Sequence, residues 1–181
     1  MTETRTETEL FVAYLDGDSA AFEQLFARVG PKLLRLIARD FRHRQHAEEL
    51  VQETFVRAIR AGRDFQRDRP LMPWLVTIAL NVRREASRRQ RRRPRADDGQ
   101  APESLAAPPE RWDQQYDAQR TVHRAMKSLP ESQRVVIELH WFAGLSFSEI
   151  SQTLGIQLSA AKVRAHRGYK SMRTHLEARE K

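Results

Sequence analysis

The 181-residue chain has no cysteine, which excludes disulfide cross-links, thiolate metal ligands and cysteine nucleophiles. No run of 18 apolar residues occurs, so nothing is long enough to span a bilayer. Residues 1–9 are polar and acidic where a secretory signal would be apolar. Together these absences read as a cytoplasmic protein without membrane insertion. Glycine is sparse, with neither a Gly-rich phosphate loop nor a Gly-x-Ser-x-Gly elbow. The six histidines form no HExxH motif and no cysteine-assisted zinc site. His43 and His46 sit three apart on an Arg-rich stretch and read as a solvated pair. With no catalytic constellation, the chain is read as a non-enzyme with no cofactor and no metal.

What is present in quantity is charge, at 31% of residues, with a net of +8 and enough hydrophobic residues, 40%, for a packed core. Residues 1–30 carry six acids against Arg5 and Arg28. Residues 83–95 carry eight arginines against Glu85, and residues 156–181 seven bases against Glu177 and Glu180. Two separate positive regions favour polyanionic partners. Between them, residues 94–111 hold Pro94, Pro102, Pro108 and Pro109 and one large aliphatic side chain, Leu105. Such a stretch buries too little to offset its ordering entropy. Two small domains, 1–93 and 112–181, are therefore expected on either side of a flexible linker.

Both domains read as helical, and the fold class as all-α. Phe22, Leu25, Phe26 and Val29 recur at spacings of three and four, as do Leu33, Leu36 and Ile37, then Leu50, Val51, Phe55 and Ile59, then Leu71, Leu75, Ile78, Ala79 and Val82. Gly17-Asp18, Gly30-Pro31 and Gly62 punctuate these runs. The second domain, starting near Trp112, repeats the pattern through Val122, Met126 and Leu129, then Val135, Val136 and Leu139.

The carboxy-terminal segment reads as a helix-turn-helix. Gly144 suits a left-handed helix terminator, Ser146-Phe-Ser-Glu149 is a capping box, Gly155 supplies the tight turn, Ile156 plugs the core, and Ser159 is expected to cap the second helix. On that helix Ala161, Ala165, Gly168, Met172 and Leu176 form one stripe, leaving Lys162, Val163, Arg164, His166, Arg167 and Lys170 outside. A basic second helix of this kind can enter a groove about 12 Å wide with its early residues at base edges. The competing reading is a solvated cationic face. Arg167 and Lys162 are the better candidates for base or phosphate contact; Val163 and His166 either touch bases or sit at the rim.

These residues resemble a known family. Leu129-Pro-Glu-Ser-Gln-Arg-Val-Val-Ile, Gly144-Leu-Ser-Phe-Ser-Glu-Ile, Leu154-Gly-Ile and Lys162-Val-Arg-Ala-His-Arg are similar to region 4 of the extracytoplasmic-function sigma factors. Ala47-Glu-Glu-Leu-Val-Gln-Glu-Thr-Phe resembles their region 2.2, and Pro73-Trp-Leu-Val-Thr-Ile-Ala-Leu-Asn-Val-Arg-Arg their regions 2.3 to 2.4. The likeness covers about residues 8–92 and 115–176, in the family's order. His46, where an acid is common, Gln157, in place of a frequent proline, and Gly168, at a usual alanine, depart from the pattern.

The resemblance implies a bacterial RNA polymerase specificity subunit that binds core enzyme, recognises −35 and −10 promoter elements and helps open the duplex. By that likeness Glu48, Glu49, Gln52, Glu53 and Phe55 would dock on the clamp helices of the largest polymerase subunit. The flap of the second-largest subunit and a cognate anti-sigma factor would be further partners. Glu49, Gln52 and Glu53 share one helix face, which otherwise reads as a solvated acidic surface. The loop around Phe65, Gln66, Arg67 and Asp68 would capture a base flipped from the −10 non-template strand, although Phe65 is equally suited to the core. Trp74 either supports strand opening or packs. Asn81, Arg84 and Arg88 follow at helical intervals and line a DNA-facing stripe, and residues 88–95 either track phosphates or solubilise the helix. In the second domain Ser159, Lys162, Val163, Arg164, His166, Arg167 and Lys170 would face the −35 element. A different helix-turn-helix regulator, such as a dimeric effector-responsive activator, would need a ligand pocket or a dimer face in its first domain. A decoy that binds anti-sigma factors would keep the fold and lose promoter function.

Overall fold

The computed structural model describes residues 5–38, 41, 44–92, 122 and 124–177, and every regular element among them is helical, as the periodicity predicts. The chain divides into two compact units, Met1–Leu105 and Ala106–Lys181. The linker expected at 94–111, Trp112 and His43 lie outside the described residues.

In the first unit, α1 (Glu7–Leu15), α2 (Ser19–Ala38), α3 (Arg44–Arg60), a 3-10 turn (Gly62–Asp64) and α4 (Leu71–Arg92) follow in order. A capping box starts α1: the Glu9 N–H donates to Thr6 Oγ1, and the Thr6 N–H donates to Glu9 Oε2. Gly17, at φ +107°, turns the chain, and Asp18 Oδ1 accepts the Ala21 N–H at 3.2 Å to open α2.

The break expected at Gly30-Pro31 does not occur, because α2 runs unbroken through both residues. Leu25, Val29, Leu33, Leu36 and Ile37 form one face that is at most 1% exposed. At about 1.5–3 kcal/mol for each buried side chain, that face outweighs the roughly 3 kcal/mol cost of an interior proline. The long helix then serves as the spine on which α1 and α3 pack. At the far end of this spine, buried Arg83 of α4 donates to the Leu36 carbonyl at 3.1 Å.

In the second unit, helical residues 124–128 precede α5 (Glu131–Trp141), α6 (Phe147–Leu154) and α7 (Leu158–Glu177). The punctuation follows expectation. Gly144 has φ +71°, Ser146 and Glu149 form the reciprocal capping box, and Gly155 ends α6 in the left-handed conformation. Ser159 does not cap α7. The helix begins at Leu158, and the Gln157 carbonyl accepts the Ala161 N–H at 3.0 Å. The two-residue connection after Gly155 brings the chain into helical geometry too early for a cap at 159.

Ala161, Ala165 and Gly168 are buried, as the stripe predicts, whereas Val122 is 43% exposed and lies outside the core. Gly168 has a steric reason to replace alanine: a Cβ there would stand 2.5 Å from Ile137 Cδ1. The core beneath combines Met126, Leu129 and Ile137 with Tyr169 and Met172.

Candidate functional site

Three surfaces carry the predicted residues, two on the first unit and one on the second. On α3, Glu48, Glu49 and Gln52 are exposed and Glu53 is half-buried. Arg44 Nε donates to Glu48 at 2.8 Å, and His46 Nδ1 lies 3.4 Å from Glu49. Phe55 does not belong to this surface. It is 2% exposed, packed at ring-centroid distances of 5.7 Å on Phe22 and 5.1 Å on Phe26, so it fixes α3 in place and cannot touch a partner. Its spacing predicts an apolar face but not whether that face meets the core or a partner.

The polar face of α3 is joined to α4 by Arg57. Its Nε donates to Glu53 Oε1 at 2.7 Å, and its two terminal nitrogens donate to the Glu85 carboxylate at 3.0 and 2.8 Å. The fork-on-carboxylate geometry is the strong form of ion pair. The hydrogen bond from Arg57 holds the Glu85 carboxyl below its usual range and raises the guanidinium's own pKa. A residue 28 positions away is not recognisable as this partner from sequence spacing.

The second surface comprises the α3–α4 loop and the outer face of α4. Phe65 is 6% exposed and packs with Phe11 and Trp74 at 5.3 and 5.0 Å between ring centroids, while Phe11 and Trp74 lie 5.7 Å apart. Phe65 is thus a core side chain and not an open stacking platform, and half-buried Trp74 packs beside it. Gln66, Arg67 and Asp68 are exposed. Both terminal nitrogens of Arg67 donate to Asp16, at 2.9 and 2.8 Å, a bond that lowers the Asp16 pKa and raises that of Arg67. Asn81, Arg84 and Arg88 are exposed along α4 and line an open groove with Arg57, Ala61, Ile78 and Glu85. Arg83, one of the eight arginines of residues 83–95, is buried and does not add to the exposed positive surface. Of the run 88–95, the helix includes residues up to Arg92, and residues 93–95 lie outside the described residues.

The third surface is the outer face of α7. Ser159, Lys162, Val163, His166, Arg167 and Lys170 are exposed, and Arg164 is half-buried. No carboxylate among the described residues pairs with these cations. The face can approach a phosphate backbone without first giving up an internal partner. Two exposed apolar side chains were not expected: Leu158 at the start of α7, and Trp141, 67% exposed, whose indole N–H donates to Tyr169 Oη at 2.9 Å. Trp141 lies off the Val136–Leu139 stripe, which was the available signal. Among the described residues no group of three or more His, Asp or Glu converges on a metal position, and no helix is long and apolar enough to cross a membrane.

Comparison with known proteins bears on all three surfaces. The sigma-70 region 2 family model matches residues 25–93, and the sigma-70 region 4 model matches residues 119–172. The chain is 37% identical over 162 residues to RNA polymerase sigma factor CarQ of Myxococcus xanthus, covering 88% of this chain and 91% of that one. It is 29% identical over 177 residues to the ECF RNA polymerase sigma-E factor of Escherichia coli K12, covering 92% of each. Among solved structures, it is similar to the sigma factor RpoE in complex with the anti-sigma factor NepR from Bartonella quintana. That match has a TM-score of 0.67 and 26% identity, and covers 86% of this chain and 96% of that one.

Proposed function

Because the chain belongs to the extracytoplasmic-function group of the sigma-70 family, we propose that it acts as an alternative sigma factor. It binds core RNA polymerase, directs the enzyme to promoters with −35 and −10 elements, and assists duplex opening. The observation that carries this reading is the match of both family regions, in order, across the two compact units. The chemistry of RNA synthesis belongs to the polymerase, and this chain positions it, so its place of work is the cytoplasm.

In this reading Glu48, Glu49, Gln52 and Glu53 form the contact with the clamp helices of the largest subunit, backed from inside by Phe55. Gln66 and Asp68 present polar groups to a −10 base extruded from the stack, with Phe65 and Trp74 as the floor beneath the loop. Asn81, Arg84 and Arg88 follow the displaced strand along α4. Lys162, Val163, Arg164, His166, Arg167 and Lys170 face the −35 major groove, with Ser159 near the backbone at the helix N-terminus. The flap of the second-largest subunit is the expected partner of the second unit. An anti-sigma factor, as seen bound to RpoE, is the expected inhibitor.

The test is run-off transcription with purified bacterial core polymerase, paired with a pull-down. Glu49→Arg reverses charge on the α3 face without touching the Arg57 network, and it should weaken capture of core while leaving helicity intact. No capture of core by the unaltered chain would refute the sigma reading and return the chain to the broader class of helix-turn-helix regulators.

A further inference from the structure

Four residues of α1 and its C-terminal cap contact the segment 62–74, and three of them lie on one helix face. Thr8 Oγ1 accepts the backbone N–H of Leu71 at 3.0 Å. Phe11, 1% exposed, packs on both Phe65 and Trp74. Leu15 fills the space over Gly62, where a Cβ would meet its Cδ2 at 2.5 Å. Residues 8, 11 and 15 recur at spacings of three and four and so lie on the same side of α1. Just past the helix end, Asp16 grips the Arg67 guanidinium with a two-bond fork.

We infer that α1 is a splint for the 65–70 loop, and that Asp16 is a specificity-determining positioning residue that acts through Arg67. This inference rests on the sigma-factor reading and assigns Arg67 a different place in it. Both terminal nitrogens of Arg67 face Asp16, so its guanidinium fixes where the loop stands while Gln66 and Asp68 remain free to meet a base. A salt bridge this exposed contributes little to stability. Its planar fork nevertheless restricts the loop tip in two directions, which a point charge would not do. The neighbouring turn, closed by the Arg69 N–H donating to the Gln66 carbonyl at 3.0 Å, carries Gln66 and Asp68 along with Arg67. Base selectivity at −10 is therefore set in part by a residue that touches no DNA.

The experiment uses holoenzyme reconstituted from the full chain and purified core polymerase, transcribing a promoter library randomised across the −10 element, with transcript sequencing as the readout. Asp16→Asn and Arg67→Asp should each flatten the −10 preference by about tenfold, roughly the discrimination of one good base contact. Core capture and the melting temperature should stay as in the parent chain. The exchanged pair Asp16→Arg with Arg67→Asp should restore the preference, because the pair is rebuilt even though the loop now carries the acid. An exchanged pair as flat as Arg67→Asp alone would show that Arg67 meets DNA directly and would overturn the inference. So would an unchanged preference in Asp16→Asn. A parent holoenzyme with no −10 preference would sink the sigma-factor reading along with it, whereas a selective parent whose variants keep its preference unchanged would sink only the splint.

Discussion

In the first unit several cations are held by carboxylates: Arg57 by Glu85 of α4 and by Glu53 of its own helix, Arg67 by Asp16, Lys32 by Glu7 and Arg5 by Asp18, while Arg84 and Arg88 of the α4 groove are in no such pair among the described residues. In the second unit Lys162, Arg164, Arg167 and Lys170 extend from α7 with no such partner among the described residues. The same residue types are thus used in two ways. Paired cations hold geometry, which suits a surface that must present a loop and a strand path to partners in fixed positions. Unpaired cations hold potential, which suits a helix that must find and enter a groove, and their contribution should fall steeply with salt.

The largest effect that would break the comparison is loss of the second unit's scaffold. Leu139, fully buried in α5, should cost about 2–5 kcal/mol when cut to alanine, through lost transfer energy and the cavity left behind. Thermal unfolding followed by circular dichroism should show the early loss of part of the helical signal, with the first unit's transition unmoved. A single shifted transition would show that the two units unfold as one.

Next in size is the outer face of α7. Arg167→Ala should weaken binding to −35-containing promoters by about 1–3 kcal/mol if the guanidinium reads a base. The loss should concentrate on one or two promoter positions. An equal loss on every sequence, with a shallower salt slope, would make Arg167 a phosphate contact and the face purely electrostatic.

The Arg57 network tests the other half of the contrast. With side-chain exposures of 33% for Arg57 and 43% for Glu85, solvent screening limits its contribution to about 1 kcal/mol despite the fork geometry. Arg57→Ala should therefore lower the urea midpoint of the first unit only slightly at neutral pH. The pH dependence is more telling. Because Arg57 depresses the folded-state pKa of Glu85 below the ordinary 4.5, this stabilisation is complete above that value and is lost as pH falls through the depressed one. The unaltered chain should lose that increment on acidification, and Arg57→Ala should not. Identical acid sensitivity in the two would remove the network from the energetics.

These contacts also mark what was legible in the sequence. The Ser146–Glu149 box, the left-handed Gly155 and the Ala161–Ala165–Gly168 stripe depend on chemistry within a few residues, and the structure has each of them. Gly30-Pro31 misled because the punctuation rule is local, whereas the burial that overrides it is tertiary. The family likeness places Phe55 at the polymerase contact, and Phe65 either at the captured base or in the core, because a motif match carries a residue's role but not what covers its side chain; both are buried. The Arg57–Glu85 and Asp16–Arg67 pairs, 28 and 51 positions apart, join elements that only the folded chain brings together. The roles in polymerase and promoter binding came from resemblance of motifs, and the physical reading of the residues reached no further than a basic helix-turn-helix.

The smallest expected effect sharpens the contrast from the second unit's side. The Trp141–Tyr169 hydrogen bond joins α5 to α7 and is that unit's counterpart to the cross-element contacts of the first. It lies at the surface, with Trp141 67% exposed. Water can therefore replace the phenol oxygen when Tyr169→Phe removes it, and the ring itself stays packed on the Met126–Leu129–Ile137 core. The change should cost no more than about 0.5 kcal/mol in chemical unfolding, the low end for a neutral hydrogen bond, and leave promoter binding untouched. If the loss instead approached that of Arg57→Ala, α7 would be held in register by a polar tie as the first unit's loop is. The division between paired geometry and unpaired potential would then be one of degree.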